Sequence, residues 1–213
     1  MEKSGTKNQS IAEPFREKTE RKIMGRAKII YTVDPDHFKA DTMEQFILGG
    51  MDIARCVCMQ KEKEEQSCFV KQVGDFFKKR KKPVEIMLDL SDRTEADWED
   101  TSESFFEIAQ SVKVILMPFF EKPERRKEIR DLLKKQGGQQ ILLITKVEND
   151  QMKPYLDAAL REMDGIMVGK GVEPSFGRQM MQRAWEEKKI LVTATQMLNF
   201  RKKETVYESI LEL

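Results

Sequence analysis

Seven short apolar runs, separated by longer amphipathic stretches, constrain this chain more than any other feature. The runs are KIIYTV (28–33), DIARCVC (52–58), VEIMLDL (84–90), VKVILMP (112–118), ILLITK (141–146), GIMVG (165–169) and ILVTAT (190–195). Helix-period patterns fall near 42–49, 62–79, 99–109, 122–136, 152–161 and 175–188, with a last one, ETVYESILEL, at 204–213. Strands that are apolar on both faces cannot leave either face in water. With helices between them they form a parallel sheet, either a doubly wound sheet or a (β/α)8 barrel. The class is therefore α/β.

Composition narrows the partners. Lys+Arg total 38 and Asp+Glu 37, so no net field favours nucleic acid or an anionic membrane. The local run KKRKK (78–82) follows an apolar helical pattern and suits the negative end of that helix's dipole. Cys56, Cys58 and Cys68 are the only cysteines and His37 the only histidine, which is too few for a closed zinc site. No stretch has the length of a membrane span or the form of a secretory signal, so a cytoplasmic location with reduced thiols is expected. Residues 1–25 read as a polar tail or short helix, and 26–213 as the barrel domain. Asp-Pro-Asp follows the first run where a dinucleotide-binding fold would carry a Gly-rich loop.

Several runs end in a polar side chain. Arg55, Asp89, Lys146, Glu148, Lys170 and Thr195 all lie at or just past the end of a strand. In a parallel barrel those ends share one face, where barrel active sites are built. Cations interleaved with carboxylates suit a phosphorylated or metal-bound ligand. Strand ends also meet solvent, and charges collect there without any chemistry; the residue types alone leave both readings open. His37 reads as a solvated loop residue, and Trp98 and Trp185 as packing residues on helical patterns.

Four segments carry a family resemblance. KIIYTVDPDHFKADTMEQFILGGMDIAR resembles the opening of the pyruvate kinase barrel, K-I-x-x-T-I-G-P-x-S…G-M-x-x-A-R. ILLITKVEN resembles its I-I-x-K-I-E-N, MDGIMVGKGVEP its S-D-G-I-M-V-A-R-G-D-L-G, and ILVTATQML its V-I-x-A-T-Q-M-L. They keep the family's order over residues 27–213. The resemblance implies transfer of a phosphoryl group from phosphoenolpyruvate to ADP, followed by protonation of the enolate to pyruvate, with Mg²⁺ and usually K⁺. It implies catalytic roles for Lys146, Arg55 and Thr195, and substrate binding by Arg55, Lys146, Gly171 and Thr195. It also implies Mg²⁺ ligation by Glu148 and a vestigial K⁺ site at Asp89. Such roles fit a reaction that is mostly positioning and neutralisation of spread negative charge.

The departures from that pattern are specific. The second Mg²⁺ carboxylate falls at Val172, and an arginine is replaced by Lys170. The remaining K⁺-site positions fall at Val57, Met59 and Leu90, and a serine and an arginine after the fourth strand fall at Pro118 and Glu121. Between strand three and the next helix there is no room for the family's lid domain. The last residues, SILEL, stand where an eighth strand would begin. The expectation is a TIM-type (β/α)8-like barrel truncated to seven βα units, with unpaired edges on strands seven and one. The N-terminal segment, a partner chain or a homo-oligomer would complete it, or the sequence is an incomplete product. The functional expectation is a catalytically impaired pseudoenzyme binding a phosphoenolpyruvate- or oxalate-like molecule or a protein, with weak Mg²⁺ and no K⁺. An active phosphotransferase forming pyruvate and ATP is the alternative.

Overall fold

The computed structural model describes residues 27–57, 63–81, 83–90, 111–118, 123–135, 137–193 and 210–212. Seven parallel strands and one antiparallel strand form a closed barrel. The parallel strands are β1 (Lys28–Val33), β2 (Ile53–Val57), β3 (Glu85–Asp89), β4 (Val114–Pro118), β5 (Leu142–Val147), β6 (Gly165–Val168) and β7 (Ile190–Thr193). Each lies inside an apolar run of the sequence or within one residue of it. The helices between them are α1 (Ala40–Leu48), α2 (Lys63–Lys78), α3 (Pro123–Lys135), α4 (Leu156–Glu162) and α5 (Pro174–Glu186). The helical pattern near 152–161 divides into a 3-10 turn, Asp150–Tyr155, and then α4. The patterns near 99–109 and the expected N-terminal tail or helix lie outside the described residues.

The ring closes in a way the helical period at 204–213 does not foretell. Ile210–Glu212 form β8, which runs antiparallel between β7 and β1. Leu211 stands opposite both Lys28 and Val192. The expected open edges on strands seven and one are thus paired by this chain's own residues, not by the N-terminal segment or a partner. The physical reason is that two facing strand edges offer rows of backbone donors and acceptors. Pairing them outweighs the small helical preference of a short segment.

Strand alternation divides the core. Ile30, Ile53, Met87, Val114, Leu116, Ile144, Met167 and Val192 form one buried cluster to which every parallel strand contributes. This is the barrel interior. Residues of the other parity, such as Val33, Ala54, Cys56, Leu88, Ile115 and Leu143, pack outward against the helices. Met43, Val70, Val73 and Leu133 meet them there. Each such fully buried aliphatic side chain contributes about 1.5–3 kcal/mol.

The lower end of the barrel is tied by repeated contacts. Asp52 precedes β2, and its Oδ2 accepts the Ile29 N–H of β1 at 2.9 Å. Asp164 precedes β6, and its Oδ2 accepts the Leu143 N–H of β5 at 2.7 Å. Lys28 and Glu85 pair at 2.9 Å across the same end. α3 stops where Gly137 adopts φ +76, and the Gly138 N–H reaches back to the Leu133 carbonyl at 2.7 Å, a helix stop that a glycine makes cheaply. The basic run does more than end α2. Arg80 binds Glu44 of α1 at 2.7 Å and lies 3.5 Å from the centroid of Phe76.

Candidate functional site at the C-terminal rim

Side chains alternate along a strand, so a residue two positions past an interior residue also faces inward. Applied to the interior cluster, that rule selects Thr32, Arg55, Asp89, Pro118, Lys146 and Gly169 at the C-terminal ends of β1 to β6. Two cations and one carboxylate expected at the site therefore share the mouth of the barrel. Thr195 lies outside the described residues, as do Met59 and Glu121.

Arg55 is held by the strands on either side of it. Its Nε donates to Asp89 Oδ2 at 2.8 Å, and its Nη2 approaches the same oxygen at 2.5 Å. Its Nη1 donates to Thr32 Oγ1 at 3.2 Å. The Asp89 side chain is only 3% exposed and that of Arg55 15%. Val57 is the register partner of Asp89 on β2, and Leu90 is buried in the outer core. Thr32 is the one member of this group that the sequence reading passes over. Its signal was available, because it lies two residues past Ile30.

Lys146 pairs with Glu148 at 2.7 Å. Here the carboxylate is 57% exposed while the lysine is 14% exposed. The backbone of Glu148 is packed from the other side. A Cβ on Gly171 would strike the Glu148 carbonyl oxygen, so only glycine lets the loop after β6 lie on the loop after β5. Gly171 and Lys170 are both exposed. Val172, one residue on, is 5% exposed and packs with Val147 and Phe176. It is a core side chain with no donor for a metal.

The two loops are clasped further along. Asp150 Oδ1 accepts the Glu173 N–H at 2.9 Å, and Asp150 Oδ2 binds Lys153 at 2.8 Å. The Lys153 hydrogen bond and the Glu173 amide hold the Asp150 carboxyl below its ordinary range. Glu173 caps α5, accepting from Ser175 N at 3.0 Å, Phe176 N at 3.2 Å and the Ser175 hydroxyl. The Ser175 hydrogen bonds lower the Glu173 carboxyl. The positive end of α5 is thus met by the chain's own carboxylate. Neither acid was singled out in the sequence, where each reads as an ordinary loop charge.

The donors for a divalent ion are sparse. Among the described residues, no group of three or more His, Cys, Asp or Glu is arranged to hold a metal. Glu148 is the one carboxylate of the expected Mg²⁺ pair, and it is engaged with Lys146. This donor set does not fit a two-carboxylate metal centre.

Elsewhere the placement of expected residues is mixed. His37 is exposed, with its ring nitrogen 2.8 Å from Asp34, as a solvated loop residue would be. Cys56 is buried and Cys68 exposed; Cys58 and Trp98 lie outside the described residues. Trp185, expected to pack, is 52% exposed. Its neighbour Ala184 is buried, and one step along a helix turns the next side chain about 100° away. Among the described residues, no helix is long and apolar enough to cross a membrane.

A parallel α/β barrel with paired cations and carboxylates at its C-terminal mouth defines the class of this protein. The family model for the pyruvate kinase barrel domain matches residues 90–206, more than half of the 213-residue chain. The chain belongs to the pyruvate kinase barrel family. It is 31% identical over 149 residues to a pyruvate kinase of Bacillus licheniformis, covering 64% of this chain and 25% of that protein. It is 30% identical over 109 residues to a pyruvate kinase of Clostridium perfringens, covering 47% and 23%. It is 28% identical over 153 residues to a pyruvate kinase of Staphylococcus haemolyticus, covering 66% and 25%. The chain thus spans about a quarter of the length of these relatives.

Proposed function

We propose that this barrel is a catalytically impaired pyruvate kinase relative. In this reading its C-terminal mouth binds a small dianion resembling phosphoenolpyruvate or oxalate. Arg55 and Lys146 contact the anion, and the loop at Gly171 forms one wall. By the family resemblance alone, Thr195 is assigned to the side from which the enolate would be protonated. Glu148 supplies a single carboxylate to a weakly held Mg²⁺, with water and ligand oxygens as the other donors. K⁺ has no role, and no nucleic acid or membrane is a partner. A cytoplasmic location completes the reading.

The observation that carries it is the contrast between Lys146 and Val172. The cation is kept at the mouth, while the residue that the resemblance aligns with a second metal carboxylate is a buried valine. Binding needs the first and turnover needs both. Loss of one electrostatic stabiliser commonly costs about 10²–10³ in rate, and the short stretch of sequence between β3 and β4 is where the resemblance would place a water-excluding lid domain.

A lactate-dehydrogenase-coupled assay with phosphoenolpyruvate, ADP and Mg²⁺ tests the catalytic half. Negligible turnover is expected; a rate near about 10 s⁻¹ would instead establish the active phosphotransferase. Melting curves with millimolar phosphoenolpyruvate or oxalate, with and without Mg²⁺, test the binding half. A raised midpoint is expected, and Lys146→Ala should abolish it. No shift with any of these ligands would end the proposal.

A further inference from the structure

We infer that Asp89 is the positioning residue of Arg55, and that the Arg55 guanidinium fills the place a monovalent cation would take beside that carboxylate. The inference rests on the proposed anion site only in its ligand-binding consequence. Its structural half stands on the geometry of β1, β2 and β3.

The Asp89 carboxylate is almost wholly buried on the inward face of β3. A buried carboxylate must be compensated by a positive charge or by hydrogen bonds. Arg55 supplies two donors, Nε and Nη2, to one oxygen of Asp89. Among the described residues, two side chains beside Asp89, on β2 and just past β3, are apolar and offer no ligand to a cation. Val57 stands beside Asp89 in register, and Leu90 turns into the outer core. A desolvated K⁺ ion wants a shell of several oxygens, and apolar side chains offer none. A guanidinium needs only the carboxylate edge and is weakly hydrated.

The arrangement also limits what Arg55 can do. A long arginine side chain has many rotamers, and freezing it costs binding energy. Here Asp89 fixes one edge of the fork and Thr32 Oγ1 receives Nη1 at 3.2 Å. The side chain is ordered before any ligand arrives. The edge committed to Asp89 is not offered to an incoming carboxylate as a bidentate fork. Arg55 therefore acts on a bound anion as a prearranged charge, and the site reads charge more than planarity. Oxalate and a phosphate ester should compete for it on similar terms.

The test uses the full chain and variants Asp89→Asn, Thr32→Val and Arg55→Lys. The first readout is hydrogen exchange of the Arg55 Nε–H, assigned by its loss from the spectrum of Arg55→Lys. Protected exchange is expected in the parent chain, with acceleration of about tenfold or more in Asp89→Asn. Equal exchange in both overturns the positioning role. The second readout is the melting temperature in equal concentrations of KCl and tetramethylammonium chloride. No difference is expected; stabilisation specific to KCl would place a cation at Asp89 and overturn the inference. The third is the oxalate dissociation constant, expected to weaken about tenfold in Asp89→Asn, less in Thr32→Val, and to be indifferent to KCl in the parent chain. Unchanged affinity in a folded Asp89→Asn overturns the link to binding. If the parent chain binds neither oxalate nor phosphoenolpyruvate, the proposed function fails while the exchange and salt measurements still decide the role of Asp89.

Discussion

Two cation–carboxylate pairs stand on the same rim and are built differently. Arg55–Asp89 joins two inward-facing strand residues, and its carboxylate is 3% exposed. Lys146–Glu148 joins a strand residue to the loop that follows it, and its carboxylate is 57% exposed. In the first pair both charged side chains are largely buried, so losing either partner removes a counter-charge that water does not readily replace. In the second, water stands ready to replace the lysine, so Glu148 can exchange partners at little cost. The difference teaches that charge at a barrel mouth is not one thing. One pair is part of the scaffold that orders the site, and the other is the part that a ligand or ion can rearrange.

The largest expected effect separates the pairs directly. Asp89→Ala removes a buried counter-charge from the Arg55 guanidinium, and should destabilise the fold by about 3–5 kcal/mol. Denaturant unfolding measures it, and a loss below about 1 kcal/mol would erase the distinction between the two pairs.

The next effect tests the foot of the barrel against its mouth. Asp164 holds the Leu143 amide and also pairs with Arg130 at 2.6 Å. Asp164→Ala should cost about 1.5–3 kcal/mol while leaving the anion-induced melting shift intact. A variant that kept its stability but lost the shift would show the foot and mouth to be coupled.

Glu148→Ala should be nearly silent in stability, within about 1 kcal/mol, because its carboxylate is largely in water. Its consequence should be confined to Mg²⁺-dependent ligand binding, read from the same melting curves. A large loss of stability would mean that Glu148 belongs with Asp89.

The smallest effect concerns acid. Asp150 and Glu173 both have carboxyls lowered from ordinary values of 3.8 and 4.5. A depressed folded value means that the native clasp favours the ionised form. Its contribution is complete above the ordinary values and fades as pH falls through the lowered ones. Amide exchange at Ser175 and Phe176 should therefore be flat from neutral pH down to about pH 5 once intrinsic rates are removed, then lose protection in stronger acid. Protection that falls between pH 7 and 5 would contradict the capping by Glu173.

Much of this was legible before any coordinates. The apolar runs located all seven parallel strands because a strand buried on both faces has no polar alternative. The same reasoning put Arg55, Asp89 and Lys146 at strand ends, and inward parity then brought them to one mouth. Other features were not legible because they depend on what lies opposite. Nothing local to Ile210–Glu212 marks a strand; two open edges made it one. A helical stripe could not show that Trp185 lies just past its buried arc. The loop acids Asp150 and Glu173 gained their roles from each other across 23 residues.

By itself the sequence determined the alternation of strand and helix, the family and the residue types at the rim, since each follows from local chemistry read along the chain. Tertiary structure alone decided which carboxylate each cation meets, how the ring closes, and that Val172 is core. Those outcomes turn on burial and on distances between residues far apart in the chain, and a linear order of side chains contains neither.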